Sequence, residues 1–398
     1  MQQENKQGIR KWIAHGSIDT GFFAIVMILL TVGVVMMFSA SYVYASYSPK
    51  TGYNPYHYFI RQALFAVGGV IGMLFISRIR VEFFKRGAFW IMLGCLVFLI
   101  IVLIDPYIIP GKEEFKRWLA VPGTSFTFQP SEIAKLGLII LCARILSEQV
   151  KTRKSVGEKD YTFPLCVGLT AIVAVLVALE NHLSGTVLIL GIGAIMLVLG
   201  GIDRKWIIWV MVLGIGGLLI FLRFHDQIIE KLPIGEYAKN RLIAWLDKDS
   251  FATTLRWQTN QSLYAIGSGG LFGQGLGQSK QKHLYMPEPQ NDFVFAIVCE
   301  ELGFIGAVLI LLLFALLIWR GFVIAMKNSD RFSALLVMGI VSQVGLQTIL
   351  NILVVTDTIP NTGISLPFFS YGGSSLLVLL GEMGIVLSVS RSSNIRKR

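Results

Sequence analysis

Hydrophobic residues in this chain are gathered into long runs, and most polar residues fall in short connections between them. Ten runs, near residues 18–41, 57–77, 87–105, 130–147, 162–180, 184–201, 205–223, 293–319, 333–356 and 371–390, are long enough to cross about 30 Å of hydrocarbon. A segment alone in lipid has to satisfy its own backbone hydrogen bonds, so each run is predicted to be an α-helix. The expected fold class is an all-α polytopic membrane protein of about ten transmembrane helices, a single domain over residues 1–398. One connection breaks the pattern: a large polar loop over 224–292, between the seventh and eighth helices.

An even number of crossings puts both termini on one side, and basic residues say which. Alternate connections carry 20 Lys and Arg on the terminal side against 4 on the other, once the 8 from Arg223 to residue 292 are set aside. Long loops lie outside the positive-inside rule. The N-terminal segment 1–17 and the basic tail 391–398 are therefore expected in the cytoplasm, and the long loop outside. The first run is too long for a cleaved signal peptide and is expected to be retained.

Composition agrees, with 54% hydrophobic and 15% charged residues. The net charge of +11 is largely this inner-face bias, so membrane lipids rather than nucleic acid are its expected partner. Cys95, Cys142, Cys166 and Cys299 all fall inside apolar runs without CxxC spacing, which reads as core packing rather than redox or metal chemistry. No internal repeat points to an inverted-repeat transporter.

Ionisable groups in lipid are costly and generally face a bundle interior or a wet cavity. Glu132 and Lys135 open the fourth run three residues apart, on one helical face, after Lys116-Arg117-Trp118 and Phe128-Gln129-Pro130-Ser131. They read either as a capped helix with an internal ion pair or as part of a site. Gln343, Gln347 and Asn351 draw one polar stripe, which suits interhelical bonding and cavity lining equally. Of Glu300 and Glu301, at least one is expected to pair with a buried Lys or Arg. Trp118 and Phe369 read first as interfacial anchors.

In the long loop, Gly267, Gly269, Gly270 and Gly273 belong to a glycine-rich stretch whose exposed amides would suit a diphosphate cradle, or simply a flexible surface loop. Lys280, Lys282 and His283 add positive charge beyond it. The loop ends in Met286-Pro287-Glu288-Pro289-Gln290-Asn291-Asp292-Phe293. An acid re-entering the bilayer can be desolvated toward a pKa useful for a base, yet Asp before an apolar helix is also a good N-cap.

The stretch from Asn351 to Ser375, with Ile359-Pro360-Asn361-Thr362-Gly363-Ile364-Ser365-Leu366-Pro367-Phe368-Phe369-Ser370-Tyr371-Gly372-Gly373-Ser374-Ser375, closely resembles the signature of the FtsW/RodA/SpoVE family, the SEDS proteins of cell-wall synthesis. Arg117-Trp118 with Gln129-Pro130-Ser131-Glu132 and Lys135, Ala265-Ile266-Gly267-Ser268-Gly269-Gly270, and Asp292-Phe293 through Glu300-Glu301-Leu302-Gly303 resemble further motifs of that family, across essentially the whole chain. Two places depart from it. Glu180-Asn181-His182-Leu183-Ser184-Gly185-Thr186 stands where many members read Gln-Pro-Asp-Leu-Gly-Thr, and Asp357 stands where an uncharged residue is common.

The resemblance implies a peptidoglycan glycosyltransferase that polymerises lipid II on the outer face of the cytoplasmic membrane, beside a class B penicillin-binding transpeptidase. It makes Asp292 the essential acid. Arg117, Lys135, Glu132, Glu288, Gln129, Ser370, Gly372 and Gly373 are expected to bind substrate or offset its charge. A divalent cation, Mg2+ or Mn2+, is an expected helper, with no ligand set identified. A diphosphate leaves as a stable anion, so one carboxylate base suffices where a glycosidase needs a second acid. The termini and the Ile359–Ser365 loop look closer to FtsW and SpoVE than to RodA, which implies septal synthesis with divisome proteins as partners. The competing readings are a flippase for lipid-linked precursors and a RodA-like elongation polymerase.

Overall fold

A computed structural model of the chain describes residues 14, 16–104, 117–120, 127–152, 161–201, isolated positions from 205 to 223, 236–247, 251, 253–254 and 256–395. Its helices are α1 (Thr20–Tyr47), α2 (His57–Ile76), α3 (Val81–Ile104), α4 (Pro130–Thr152), α5 (Thr162–Leu179), α6 (Leu183–Leu199), α7 (Glu236–Leu246), α8 (Trp257–Gly269), α9 (Val294–Met326), α10 (Arg331–Val355) and α11 (Gly373–Ile395). A two-stranded antiparallel ladder, β1 (Leu119–Ala120) with β2 (Thr127–Phe128), precedes α4.

The chain is a multi-pass membrane protein. Among the described residues, seven helices are long and apolar enough to cross a bilayer: α1, α2, α3, α5, α9, α10 and α11. Helix α6 is apolar but short, and α4 carries Glu132, Lys135, Arg144 and Glu148. These nine occupy nine of the ten expected spans. The tenth, 205–223, lies outside the described residues apart from isolated helical positions. Helix α3 begins six residues earlier than hydropathy suggested, because Val81 and Ala88 pack inward while Glu82, Lys85 and Arg86 stay partly or fully exposed.

Helices α10 and α11 form the centre, 61% and 67% buried over their apolar windows against 22% for the peripheral α2. Helix α11 packs on α2, α9 on α10 and α1, α4 on α3, and α10 also on α4 and α6. Capping fixes the entry of two of these helices. Asp19 accepts from Phe22 N at 2.9 Å to cap α1 and is gripped by Arg320 of α9 through two 2.9 Å bonds. Asp330 caps α10 through Ser333 N at 3.0 Å.

Helix α9 is broken at Gly303, whose φ of 67° and ψ of −172° interrupt the turn. A break inside lipid exposes carbonyls and amides that need partners. The glycine-rich stretch supplies them: Gln274 N and Gly275 N donate to Glu300 O and Glu301 O at 2.9 and 3.0 Å, and Phe304 N and Ile305 N donate to Gly270 O and Leu271 O at 2.9 and 3.1 Å. A Cβ on Gly273 or Gly303 would collide with the opposing backbone, so these two positions need glycine for close approach as well as for positive φ.

The side chains of Glu300 and Glu301 complete the fastening. Glu300 accepts from Lys280 N at 2.9 Å and from the Ser279 hydroxyl. Glu301 pairs with Lys282 at 2.8 Å, both side chains being buried, and accepts from Ser39 at 2.8 Å. The expected partner of the Glu300–Glu301 pair is thus Lys282, one of the loop's own cations. Asp357, the second departure from the family pattern, pairs with buried Arg256 at 2.6 Å. Arg256 also donates to Ala244 O at 3.2 Å, so the pair ties α7, the start of α8 and the end of α10 together. All four cysteines are buried and free.

Candidate active site

Alternating helix directions bring the end of α5, the starts of α2, α4, α6, α9 and α11, and the end of α10 to one end of the bundle. There they enclose a cavity of about 670 Å³. Its charged lining is Arg61, Arg117, Glu132 and Asp292, with His182, Gln129, Gln347 and Tyr371 among its polar walls.

The β1–β2 ladder sets the upper wall. Pairing Leu119 with Phe128 brings Arg117 and Trp118 beside Gln129. The Arg117 guanidinium donates to Asn181 O, in the turn between α5 and α6. Gln129 lies 3.2 Å from His182 Nδ1. Burial, with Arg117 and Lys135 adding to it, pulls the His182 pKa down to about 3 and keeps the ring neutral. Burial pushes Glu180 in the same turn up to about 8, against the pull of Arg117.

Lys135 is 1% exposed and forms an ion pair with Glu132 at 3.0 Å, while also donating to Gln347 at 3.3 Å. Glu132 and Lys135 are thus an internal pair, and through Glu132 that pair borders the cavity. The glutamine stripe divides among three tasks. Gln347 lines the cavity, Gln343 donates to Glu382 at 2.9 and 3.1 Å, and Asn351 donates to Asp292 O at 2.8 Å and Ile364 O at 2.6 Å.

Asp292 is half-buried at the cavity edge. Burial raises its pKa above the ordinary 3.8, Arg241 and Arg117 oppose the rise, and Glu288 adds to it. The cap of α9 is Phe293, with no side-chain cap bond, so Asp292 does not serve as the N-cap. Its carboxylate faces the loop after α10. A Cβ added to Gly363, where φ is +76°, would stand 3.2 Å from Asp292 Oδ2 and 4.0 Å from Arg241 Nη1. Arg241 of α7 is held there by Asn361, whose backbone and side-chain oxygens accept from it at 2.6 and 2.8 Å.

Other expected residues fall at differing distances from this centre. Gly372 and Gly373 line the cavity at the N-terminus of α11, where the first helical amides lack intrahelical partners and the helix dipole presents its positive end. Glu288 stands behind Asp292, accepting from Tyr44 at 3.1 Å and Asn291 at 3.0 Å. The Ser370 hydroxyl accepts from Leu366 N at 2.8 Å and closes the Pro367 turn; it borders a smaller chamber below the main cavity. Phe369 is fully buried against Phe314, which excludes the anchoring role expected for it. Trp118 lines the cavity.

The diphosphate cradle is corrected. Gly269 and Gly273 pack against the backbone of α9, and neither they nor Gly267 and Gly270 line the cavity. The amides of that stretch serve the break in α9 instead.

Arg61, His182, Arg241 and Tyr371 were absent from the sequence expectation. An arginine inside an apolar run signals Arg61, Tyr371 lies within the signature stretch and His182 within the departing one, and Arg241 carries no local signal. Among the described residues, no three or more His, Cys, Asp or Glu side chains gather as a metal site. Glu132 and Asp292 are the carboxylates that face the cavity, and a Mg2+ carried by a diphosphate needs only one or two.

The FTSW_RODA_SPOVE family model, described as "Cell cycle protein", matches residues 19–395. Stage V sporulation protein E of Bacillus subtilis is 37% identical over 378 residues, covering 95% of this chain and 98% of that protein. A probable peptidoglycan glycosyltransferase FtsW of Geobacter metallireducens is 36% identical over 360 residues, 90% of each chain. A solved structure described as "Structural coordination of polymerization and crosslinking by a peptidoglycan synthase complex" contains a chain that superposes with a TM-score of 0.74 at 25% identity, over 94% of this chain and 98% of its own. The rod shape determining protein RodA of Thermus thermophilus gives a TM-score of 0.65 at 25% identity, over 94% and 97%.

Proposed function

The chain belongs to the FtsW, RodA and SpoVE family and is a peptidoglycan glycosyltransferase, and from that premise we propose that it polymerises lipid II with Asp292 as the base. The observation that carries the reading is Asp292 itself: a half-buried carboxylate with a raised pKa, at the edge of a cavity walled by Arg61, Arg117 and the first turn of α11.

In the proposed step Asp292 takes the proton from the acceptor GlcNAc 4-hydroxyl as that oxygen forms its bond to the donor anomeric carbon. The bond from that carbon to the diphosphate breaks, and the lipid diphosphate departs with the electron pair. One in-line displacement inverts the α-linked donor to a β linkage. Arg61, Arg117 and the α11 amides offset charge on the departing diphosphate, while Lys135 acts from behind Glu132. Asn351 fixes the Asp292 backbone, and Arg241 limits how far burial raises its pKa. A divalent cation bound by Asp292 or Glu132 would neutralise diphosphate charge.

The termini lie in the cytoplasm and the cavity opens on the outer face of a bacterial cytoplasmic membrane, a placement supported by the Lys and Arg asymmetry. Both this count and the complete set of ten spans belong to the proposal. So do a class B penicillin-binding transpeptidase partner and a septal role with divisome proteins, the former supported by the resemblance to a chain of a peptidoglycan synthase complex.

Purified protein with its transpeptidase partner should convert lipid II to glycan strands. Asp292→Asn should cut that rate by about 10² to 10⁴, the usual contribution of a positioned base. A folded Asp292→Asn protein polymerising at the wild-type rate would refute the assignment. Translocation of lipid II across vesicles without polymer would favour the flippase, and side-wall rather than midcell localisation would favour an elongation role.

A further inference from the structure

Below the main cavity lies a chamber of about 30 Å³, the space of one water or one small ion. It is bordered by Glu382 and Ser375 of α11, Gln343 and Gln347 of α10, and Glu132 of α4. Glu132, Gln347, Ser365 and Ser375 border the main cavity as well, so the chamber has an approach from that side.

Its charges do not balance. Glu382 is wholly buried, and both of its oxygens accept from the single amide of Gln343. Among the described residues, the cation that acts on it is Lys135, which is already paired with Glu132 at 3.0 Å. With Glu382 ionised, these three groups carry one surplus negative charge inside the helix bundle, which is costly unless compensated. A second, independent feature points to what compensates it. Because Gln343 turns its nitrogen to Glu382, its oxygen is left buried without a hydrogen-bond partner, although Gln343 is only 4% exposed. The available groups are therefore oxygen acceptors, the ligand set of a hard cation.

We propose that this chamber binds one monovalent metal cation of sodium size, held between Glu382 and the Gln343 oxygen. A single charge matches the surplus, and the small volume excludes a hydrated ion. Bound there, the cation fastens α10 to α11 directly beneath the cavity floor. The shape of the floor then depends on the salt outside the cell. A proton on Glu382 is the competing way to neutralise the chamber, with Glu132 and Lys135 the titratable groups that face it.

The test uses full-length protein in lipid nanodiscs, with radioactive sodium binding and thermal unfolding measured in sodium chloride and in choline chloride at equal ionic strength. The wild type is expected to bind one sodium per chain and to unfold at a higher temperature in sodium than in choline. Glu382→Gln should weaken sodium binding by at least about a hundredfold, the top of the range for changing a partner that only orients a metal ligand, because Glu382 is itself the charged ligand. Gln343→Met keeps the carboxylate and removes the oxygen, so it should weaken binding even where Glu382→Gln fails to fold. Absence of sodium binding by the wild type would overturn the proposal. Equal unfolding temperatures in sodium and choline, with stabilisation only on acidification, would overturn it in favour of a protonated Glu382. Unchanged affinity in Gln343→Met would also overturn it.

Discussion

Replacing Glu180 by Gln should stabilise the protein at neutral pH, in a way that depends on pH. Glu180 is fully buried in the turn between α5 and α6, and neither carboxylate oxygen has a hydrogen-bond partner among the described residues. Burial raises its pKa from 4.5 to about 8. The sign follows from linkage. A group whose folded pKa lies above its unfolded value binds more protons in the folded state, so stability falls as pH rises between the two values. At pH 7 the folded chain holds Glu180 protonated while the unfolded chain has it ionised. That difference costs about 3 kcal/mol, from 1.36 kcal/mol for each pH step between 4.5 and 7. Gln has a similar shape and does not titrate, so Glu180→Gln removes the cost. The assay is thermal unfolding in nanodiscs from pH 4.5 to 8, wild type against variant. The variant should unfold several degrees higher at pH 7, and the gap should close toward pH 4.5. A constant gap across that range, or one that widens in acid, would refute the reasoning.

Three further substitutions separate the catalytic frame from the scaffold. Gly363→Ala puts a methyl group at 3.2 Å from Asp292 Oδ2 on backbone with φ of +76°, and should lower lipid II polymerisation by about 10², the scale of a misplacement of about 1 Å. Normal turnover in that variant would show that the Asp292 carboxylate does not work from this position. Asn351→Leu leaves Asp292 O and Ile364 O without their donor, at about 1–3 kcal/mol each. Its rate should fall together with its unfolding temperature, whereas loss of stability alone would reduce Asn351 to packing. Lys282→Met strands the buried Glu301 carboxylate and should destabilise by about 3–5 kcal/mol. Adding Glu301→Gln should restore most of that in an unfolding measurement, and no recovery would mean that the pair is not the cause.

The spans were legible because crossing lipid demands length and apolarity together, and both are written locally. Asp292 was legible for a related reason, as the last polar residue before an apolar helix. Its rival reading as a cap failed on geometry, since the helix starts from Phe293 with no side-chain cap. Glycines at 267–277 announced accessible backbone without saying whether a ligand or another strand of backbone would approach, and the answer was the broken turn of α9. The stripe Gln343, Gln347 and Asn351 fixed a face of α10 but not its partners, which come from α11, α4, the loop that ends at Asp292 and the loop that follows α10. Arg241 gave no local signal because an arginine in a polar loop is unremarkable until folding carries it to Asp292.

The patched break in α9 also bears on how the protein enters the membrane. Residues 270–275 are synthesised shortly before 300–305, so the partners of the exposed turn leave the ribosome first and are close in sequence. Closing so short a span of chain is entropically cheap. The helix that begins beside Asp292 can therefore be sealed by its own upstream segment during insertion, before any later helix has been made. A cut in the chain between Gly275 and Asp292 should then burden biogenesis more than it burdens the finished protein.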